Sequence, residues 1–178
     1  MVVYEIGVGP VELCRSKEHW GKAECVLFEP ASFYYKEIVQ QASEHPNVQV
    51  HNIAIYDYDG YCEFIENSQM SFIKGLNSPQ VQFGIHDGLH RICPCAKISK
   101  FDKGNIDLLL LDMEGAEWFV LKYLISRPDK IIVETELASR YKNPFLEEIQ
   151  TWMQINGYHN TDTIGADTVW EKSHKVFL

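Results

Sequence analysis

Three carboxylates fall within six residues at Asp112-Met113-Glu114-Gly115-Ala116-Glu117, directly after the apolar run Ile106 to Leu111. A second chemically capable group lies near the start, Glu5-Ile6-Gly7-Val8-Gly9-Pro10, followed by Glu29 at about 20 residues, the spacing at which a carboxylate can accept both hydroxyls of a ribose. Carboxylates such as Asp112 and Glu114, set beside a reacting centre, can orient a hydroxyl and accept its proton. The plainer use of the same pattern is helix capping, with Asp112 as the cap and Glu114 and Glu117 in a first turn favoured by the helix dipole.

The glycine pair sits where a strand hands over to a helix, and glycine there lets backbone approach a ligand without an intervening Cβ. Two cofactors use this geometry. A dinucleotide needs G-x-G-x-x-G, and the third glycine position is here Glu12, a carboxylate that would face phosphate charge. S-adenosylmethionine brings no phosphate, and Glu5, two residues before Gly7, can help organise its positively charged methionine end. A glycine turn with no ligand is the remaining reading.

These residues need a frame that brings strand ends together. Strand and helix signals alternate, the pattern of a parallel sheet covered by helices. Val2 to Ile6, Cys25 to Phe28, Val48 to Ile55, Ile106 to Leu111 and Lys130 to Glu134 read as strands. Val11 to Lys17 reads as a short helix. Ser32 is placed to cap a helix with Tyr35, Ile38, Val39 and Ala42 on one face. Trp118, Leu121 and Ile125 share a face of another helix, and Pro144 to Asn156 forms a further one, ended by Gly157. Residues 158–178 read as two antiparallel strands joined around Ile164 to Asp167. Asp57 to Gly60 is a turn into a hairpin arm, Tyr61 to Ile65. Residues 67–97 lack a clear period and read as a long excursion near the active site with one or two short strands; such loops are often functional. The expectation is one domain, 1–178.

The charge of −9, from 25 acids against 16 bases, argues against a nucleic-acid partner, whose backbone asks for a basic face. The 46% hydrophobic and 23% charged composition is that of an ordinary globular chain. Met1 leads straight into a strand pattern instead of a targeting peptide, no apolar run approaches the roughly 20 residues of a membrane span, and the 5 cysteines are odd in number and scattered. These features point to a reduced cytoplasmic protein with no membrane partner. His86, His90, Cys93 and Cys95 are zinc-ligand types, but C-x-C is too tight for an ordinary finger, and no metal is required. His86 or His90 is alternatively a base folded over the site. Glu134, at a strand end, is placed to contact substrate.

Together Val26-Leu27-Phe28-Glu29-Pro30, Asn52-Ile53-Ala54, Asp57 to Gly60 and Asp107 to Asp112 with Glu114-Gly115-Ala116-Glu117 resemble the FkbM family of methyltransferases, marked by Phe-Glu-Pro after the second strand and Asp-x-Glu-Gly-x-Glu after the fourth. The chain departs from the family in its first loop, where Gly9 replaces an Asn and Val11 a Gly, at Leu110 where Lys is usual, and at Ile98-Ser99 in place of Leu-Asp. It also opens on the first strand, without the helices that usually precede it. The resemblance implies a three-layer α/β/α Rossmann-like fold with a seven-stranded, mostly parallel sheet and an antiparallel C-terminal strand. It implies S-adenosylmethionine as cofactor and O-methylation of a sugar or small natural product, hence a small-molecule or glycan acceptor, with pairing into a homodimer left open. By position it puts Glu5, Gly7 and Gly9 at the methionine end, Glu29 with Pro30 at the ribose, Asn52 to Ala54 near the adenine, Ser71 near the cofactor, and Asp112 and Glu114 at the transfer site. The alternatives are a nucleic-acid or nucleotide methyltransferase, a cofactor-binding remnant without turnover, and a nicotinamide-dependent oxidoreductase.

Overall fold

The computed structural model describes residues 1–68, 70–84, 87–137 and 141–173. A seven-stranded sheet forms the centre. It is built from β1 (Val2–Ile6), β2 (Glu24–Phe28), β3 (Val48–His51), β8 (Leu108–Leu111), β9 (Lys130–Glu134), β12 (Tyr158–Ile164) and β13 (Asp167–Lys172). The spatial order is β12-β13-β9-β8-β1-β2-β3. β3, β2, β1, β8 and β9 pair in parallel, and β13 enters antiparallel between β9 and β12.

Strand alternation sends side chains to two cores. Tyr4, Ile6, Val26, Phe28, Leu109, Leu111, Ile131 and Val133 pack on one face beneath Val120 and Leu121 of α3 (Glu117–Tyr123) and Ile149 and Met153 of α4 (Leu146–Ile155). Val3, Cys25, Leu27 and Leu110 pack on the other beneath Val11, Cys14 and, from α1 (Ser32–Ala42), Ile38 and Ala42. Both faces are covered, so the strands read as continuous apolar runs.

Several local expectations are corrected. Val11 to Lys17 forms two 3-10 turns, Val11–Leu13 and Arg15–His19, instead of one helix. Ser32 does not cap α1: Ala31 is the cap residue, the Ser32 hydroxyl receives the Arg91 guanidinium, and the Ser32 N–H donates to Glu66. Ile125 lies beyond α3 and is 56% exposed. Val48 to Ile55 breaks at Asn52, and its second half, β4 (Ala54–Ile55), leaves the main sheet.

That departure starts a second sheet the sequence did not announce, in order β4-β7-β5-β6, from β5 (Gly60–Glu66), β6 (Phe72–Ile73) and β7 (Leu89–Ala96). Residues 67–97 contribute two strands to it, β6 and β7, in line with the expected one or two, and among the described residues one short helix, α2 (Pro79–Gln82), capped by Ser78. Cys62, Cys93 and Cys95 are buried in the core of this sheet, while His90 is exposed on its other side. His86 lies outside the described residues. Among the described residues, no group of three or more His, Cys, Asp or Glu could hold a metal, and no helix is long and apolar enough to cross a membrane.

Candidate active site

The carboxyl ends of β1, β2 and β8 open onto a cavity of about 310 Å³, within the range of small-molecule sites. Parallel sheets place ligands at this edge. Its wall carries Glu5, Gly7, Gly9, Glu29, Pro30, Ala54, Ser71, Asp112 and Glu114, so most of the residues singled out by sequence converge here. Asn52 is not on the wall. Its amide donates to the carbonyls of Glu29 and Pro30 at 2.8 and 3.0 Å and braces the β2 end from behind.

Glu29 is 3% exposed, and its two oxygens accept the N–H groups of Gly9 and Ala31 at 2.7 Å each. A carboxylate has about four acceptor sites, so two remain for a ligand's hydroxyls. Burial pushes its pKa up to about 7, against the pull of the Gly9 and Ala31 amides. Gly9, at φ +63°, has open space where a Cβ would be. Gly7 is required for a different reason than ligand approach: at φ +80°, a Cβ there would lie 1.7 Å from the Asp112 carbonyl oxygen. The first glycine thus allows the β8 end to dock on the β1 turn.

Glu5 lines the cavity, yet its oxygens accept from the backbone N–H groups of Arg15 and Ser16 at 2.9 Å and from the Cys14 thiol at 3.2 Å. Side-chain alternation in β1 points it to the face of the two 3-10 turns, and it pins them in place. Ser71 acts similarly, donating to the Ser68 carbonyl and accepting from Asn67 N–H, and so folds the start of the excursion against the cavity. Ser68, Met70 and Ile73 join it on the wall.

The acidic cluster is not a helix cap. Ala116 is the cap residue of α3 and Asp112 makes no capping bond. Glu117, fully buried, instead accepts Met113 N–H at 2.6 Å, Gly115 N–H at 3.3 Å and the Asn143 amide at 2.5 Å, holding the loop 112–116 from inside. The loop carries Glu114 at φ +54°, a left-handed conformation that a non-glycine residue keeps only when its surroundings fix it. Gly115 follows at φ +98°, packed so that a Cβ would sit 3.3 Å from both Pro144 and Ser78. Burial pushes Glu114 up to about 8, reinforced by the charges of Asp112 and Glu117. Asp112 rises to about 6, chiefly through enclosure, with Arg15 opposing and Asp167 and Glu5 adding.

Behind Glu114 lies a polar group that sequence reasoning caught only at Glu134. Gln80 of α2 and Tyr141 of β11 (Tyr141–Lys142), which pairs with β10 (Glu136–Leu137), are 1% and 2% exposed. Both Gln80 amide atoms, the Tyr141 hydroxyl and Glu134 Oε2 have no hydrogen-bond partner among the described residues. Burial, then the neighbouring carboxylates, raises Glu134 to about 10 and holds the Tyr141 phenol above its ordinary value. α2 is latched to β11 by Gln82, whose amide donates to the Lys142 carbonyl at 2.8 Å. Sequence reasoning also missed Arg15 and Asp167, joined on the cavity wall at 2.8 Å.

The cavity wall thus presents Glu5, Glu29, Asp112, Glu114 and Asp167 against Arg15. That donor set repels phosphates and fits a cofactor carrying positive charge and a diol. The family profile described as Methyltransferase FkbM domain matches residues 2–159. No curated protein matches the sequence. A candidate RNA methyltransferase of Pyrococcus horikoshii superposes with a TM-score of 0.51 at 11% identity, covering 98% of this chain and 74% of that one. Fibrillarin of Aeropyrum pernix, solved with natively bound S-adenosyl-L-methionine, superposes with a TM-score of 0.50 at 10% identity, covering 96% and 65%. The chain spans just under two thirds of the fibrillarin chain's length. At such identities the likeness is one of fold.

Proposed function

Because the chain belongs to the FkbM methyltransferase family, we propose that this S-adenosylmethionine-dependent methyltransferase transfers the methyl group to a hydroxyl oxygen of an uncharged sugar or small natural product. The observation that carries the choice of oxygen is Glu114, a carboxyl held on the cavity wall in a left-handed conformation and raised to about 8. A base poised near the working pH is what removal of a hydroxyl proton asks for.

S-adenosylmethionine, when bound, supplies a methyl group on a positively charged sulfur. The protein does the rest by placement. Glu29 receives the ribose hydroxyls, with Pro30, Ile53 and Ala54 forming the neighbouring apolar wall. Asp112 sits one strand over from the glycine turn and balances positive charge. Met70, Ser71 and Ile73 bring the excursion to the cavity wall. Glu114 orients the acceptor hydroxyl and takes its proton, and behind it lie Gln80, Glu134 and Tyr141, whose buried polar atoms have no hydrogen-bond partner among the described residues. The acidic wall disfavours phosphorylated acceptors, which also counts against a nucleic acid.

The test is transfer of tritiated methyl from S-adenosylmethionine to a panel of neutral glycosides and phenolic natural products, alongside sugar phosphates and an RNA oligonucleotide. Labelling of a neutral hydroxyl compound is expected. Labelling confined to RNA or to phosphorylated compounds would reject the proposed acceptor class.

A further inference from the structure

Arg15 is the one cation among the described residues lining the cavity. Its place is fixed from two sides. Its own backbone N–H donates to Glu5 Oε1 at 2.9 Å, and its Nη1 donates to Asp167 Oδ2 at 2.8 Å. Its Nη2 stands 4.0 Å from Asp112 Oδ2, too far for a hydrogen bond, and has no hydrogen-bond partner among the described residues although the atom is buried. A buried donor without a partner needs a reason in a native fold, and an absent ligand is one. A guanidinium is a rigid fork of donors shaped to a carboxylate.

Position along the sheet edge says which part of a ligand arrives there. Glu29 ends β2 and Asp112 ends β8, on either side of β1. Two strand spacings separate them by about 10 Å. Asp167 pairs with Glu134 at the same edge, one strand beyond β9. With the ribose at Glu29, the amino-acid end of the cofactor reaches toward Asp112 and Arg15. That end is a zwitterion, and it meets a carboxylate and a guanidinium side by side.

We propose that Arg15, held in place by Asp167, receives the α-carboxylate of S-adenosylmethionine while Asp112 faces the ammonium. This rests on the cofactor reading above and adds two residues to it. Asp167 lies beyond the 2–159 span of the family match, so the clamp draws on the C-terminal hairpin as well as on the first loop. Arg15 lies in the same early segment in which this chain departs from the family's glycine pattern.

Calorimetric titration of the whole protein with S-adenosylhomocysteine, its carboxamide and 5′-methylthioadenosine tests the clamp. The carboxamide lacks the negative charge, and methylthioadenosine lacks the amino-acid end. The wild type is expected to bind S-adenosylhomocysteine about 10- to 100-fold more tightly than the carboxamide, the scale of a charged hydrogen-bonded pair. Arg15→Gln is expected to lose the same factor for S-adenosylhomocysteine, to show no further loss on the carboxamide, and to bind methylthioadenosine as the wild type does. Equal wild-type affinity for acid and carboxamide would overturn the clamp and leave the cofactor reading standing. A wild type that binds neither S-adenosylhomocysteine nor methylthioadenosine would overturn both. If Arg15→Gln does not fold, the wild-type comparison decides alone.

Discussion

Gly7 and the carbonyl of Asp112 are in such close apposition that no side chain fits between them: a Cβ on Gly7 would fall 1.7 Å from the Asp112 oxygen. The first loop of the cofactor site and the loop of the transfer site are thus one packed unit, reinforced by the 3.0 Å hydrogen bond from Asp112 N–H to the Ile6 carbonyl. Gly7→Ala is expected to destabilise the protein by about 2–5 kcal/mol, combining left-handed strain with overpacking against backbone. Gly9→Ala, strained but unobstructed, is expected to cost about 1–2 kcal/mol. Urea unfolding of the two variants checks the contrast, and similar losses would contradict it.

Glu114→Gln keeps the shape of the side chain and removes the base. Methyl transfer is expected to fall by about 10²- to 10⁴-fold in kcat, with affinity for S-adenosylhomocysteine unchanged. Normal turnover by this variant would remove Glu114 from the chemistry.

Tyr141→Phe separates a binding role from a structural one. The buried Tyr141 hydroxyl has no hydrogen-bond partner among the described residues, so deleting it is expected to raise stability by about 1 kcal/mol. If the hydroxyl serves the acceptor, KM for that acceptor rises in the same variant. Lower stability with unaltered KM would show the hydroxyl to be structural.

Carboxyls of the site prefer to be protonated in the fold, with burial the main cause: Asp112 at about 6, Glu29 and Glu117 at about 7, Glu114 at about 8. In the unfolded chain such groups ionise near pH 4. From about pH 4.5 to 8 the folded state therefore holds more protons than the unfolded state, and stability falls as pH rises. Thermal unfolding of the ligand-free protein is expected to give a Tm several degrees lower at pH 8 than at pH 5, since about 1 kcal/mol moves Tm by roughly 2–4 °C at this size. Bound S-adenosylmethionine, being positive, should flatten the decline. A ligand-free Tm that climbs over this window would contradict the assignment.

What the sequence disclosed and withheld follows from range. The glycine turn, Glu29 and the acidic loop are local patterns attached to apolar strands, and each was legible where it stood. The alternation of Val3 and Glu5 against Tyr4 and Ile6 was equally present, but what Glu5 does depended on the 3-10 turns folding back to meet it. The second sheet was hidden because β7 pairs with both β4 and β5, so its register is written in no single stretch. The Arg15–Asp167 pair joins residues 152 positions apart, and no spacing rule reaches that far. Gln80 and Tyr141 carried no motif and became visible only as buried groups without partners. The Ser32 cap failed because a tertiary partner, Arg91, claimed the hydroxyl.

β13 follows β12 in the chain yet lies between β12 and β9 in the sheet. During synthesis β9 has no neighbour on its far side, and β12 has no place in the sheet, until β13 has emerged and slotted between them. Asp167 arrives with that strand, 152 residues after Arg15, so Arg15 is synthesised long before the residue that orients it. A ribosome-bound chain short of the hairpin can build the glycine turn and the acidic loop but cannot complete the proposed clamp. Competence to grip the cofactor would then be acquired in a single event, when the β12–β13 hairpin closes.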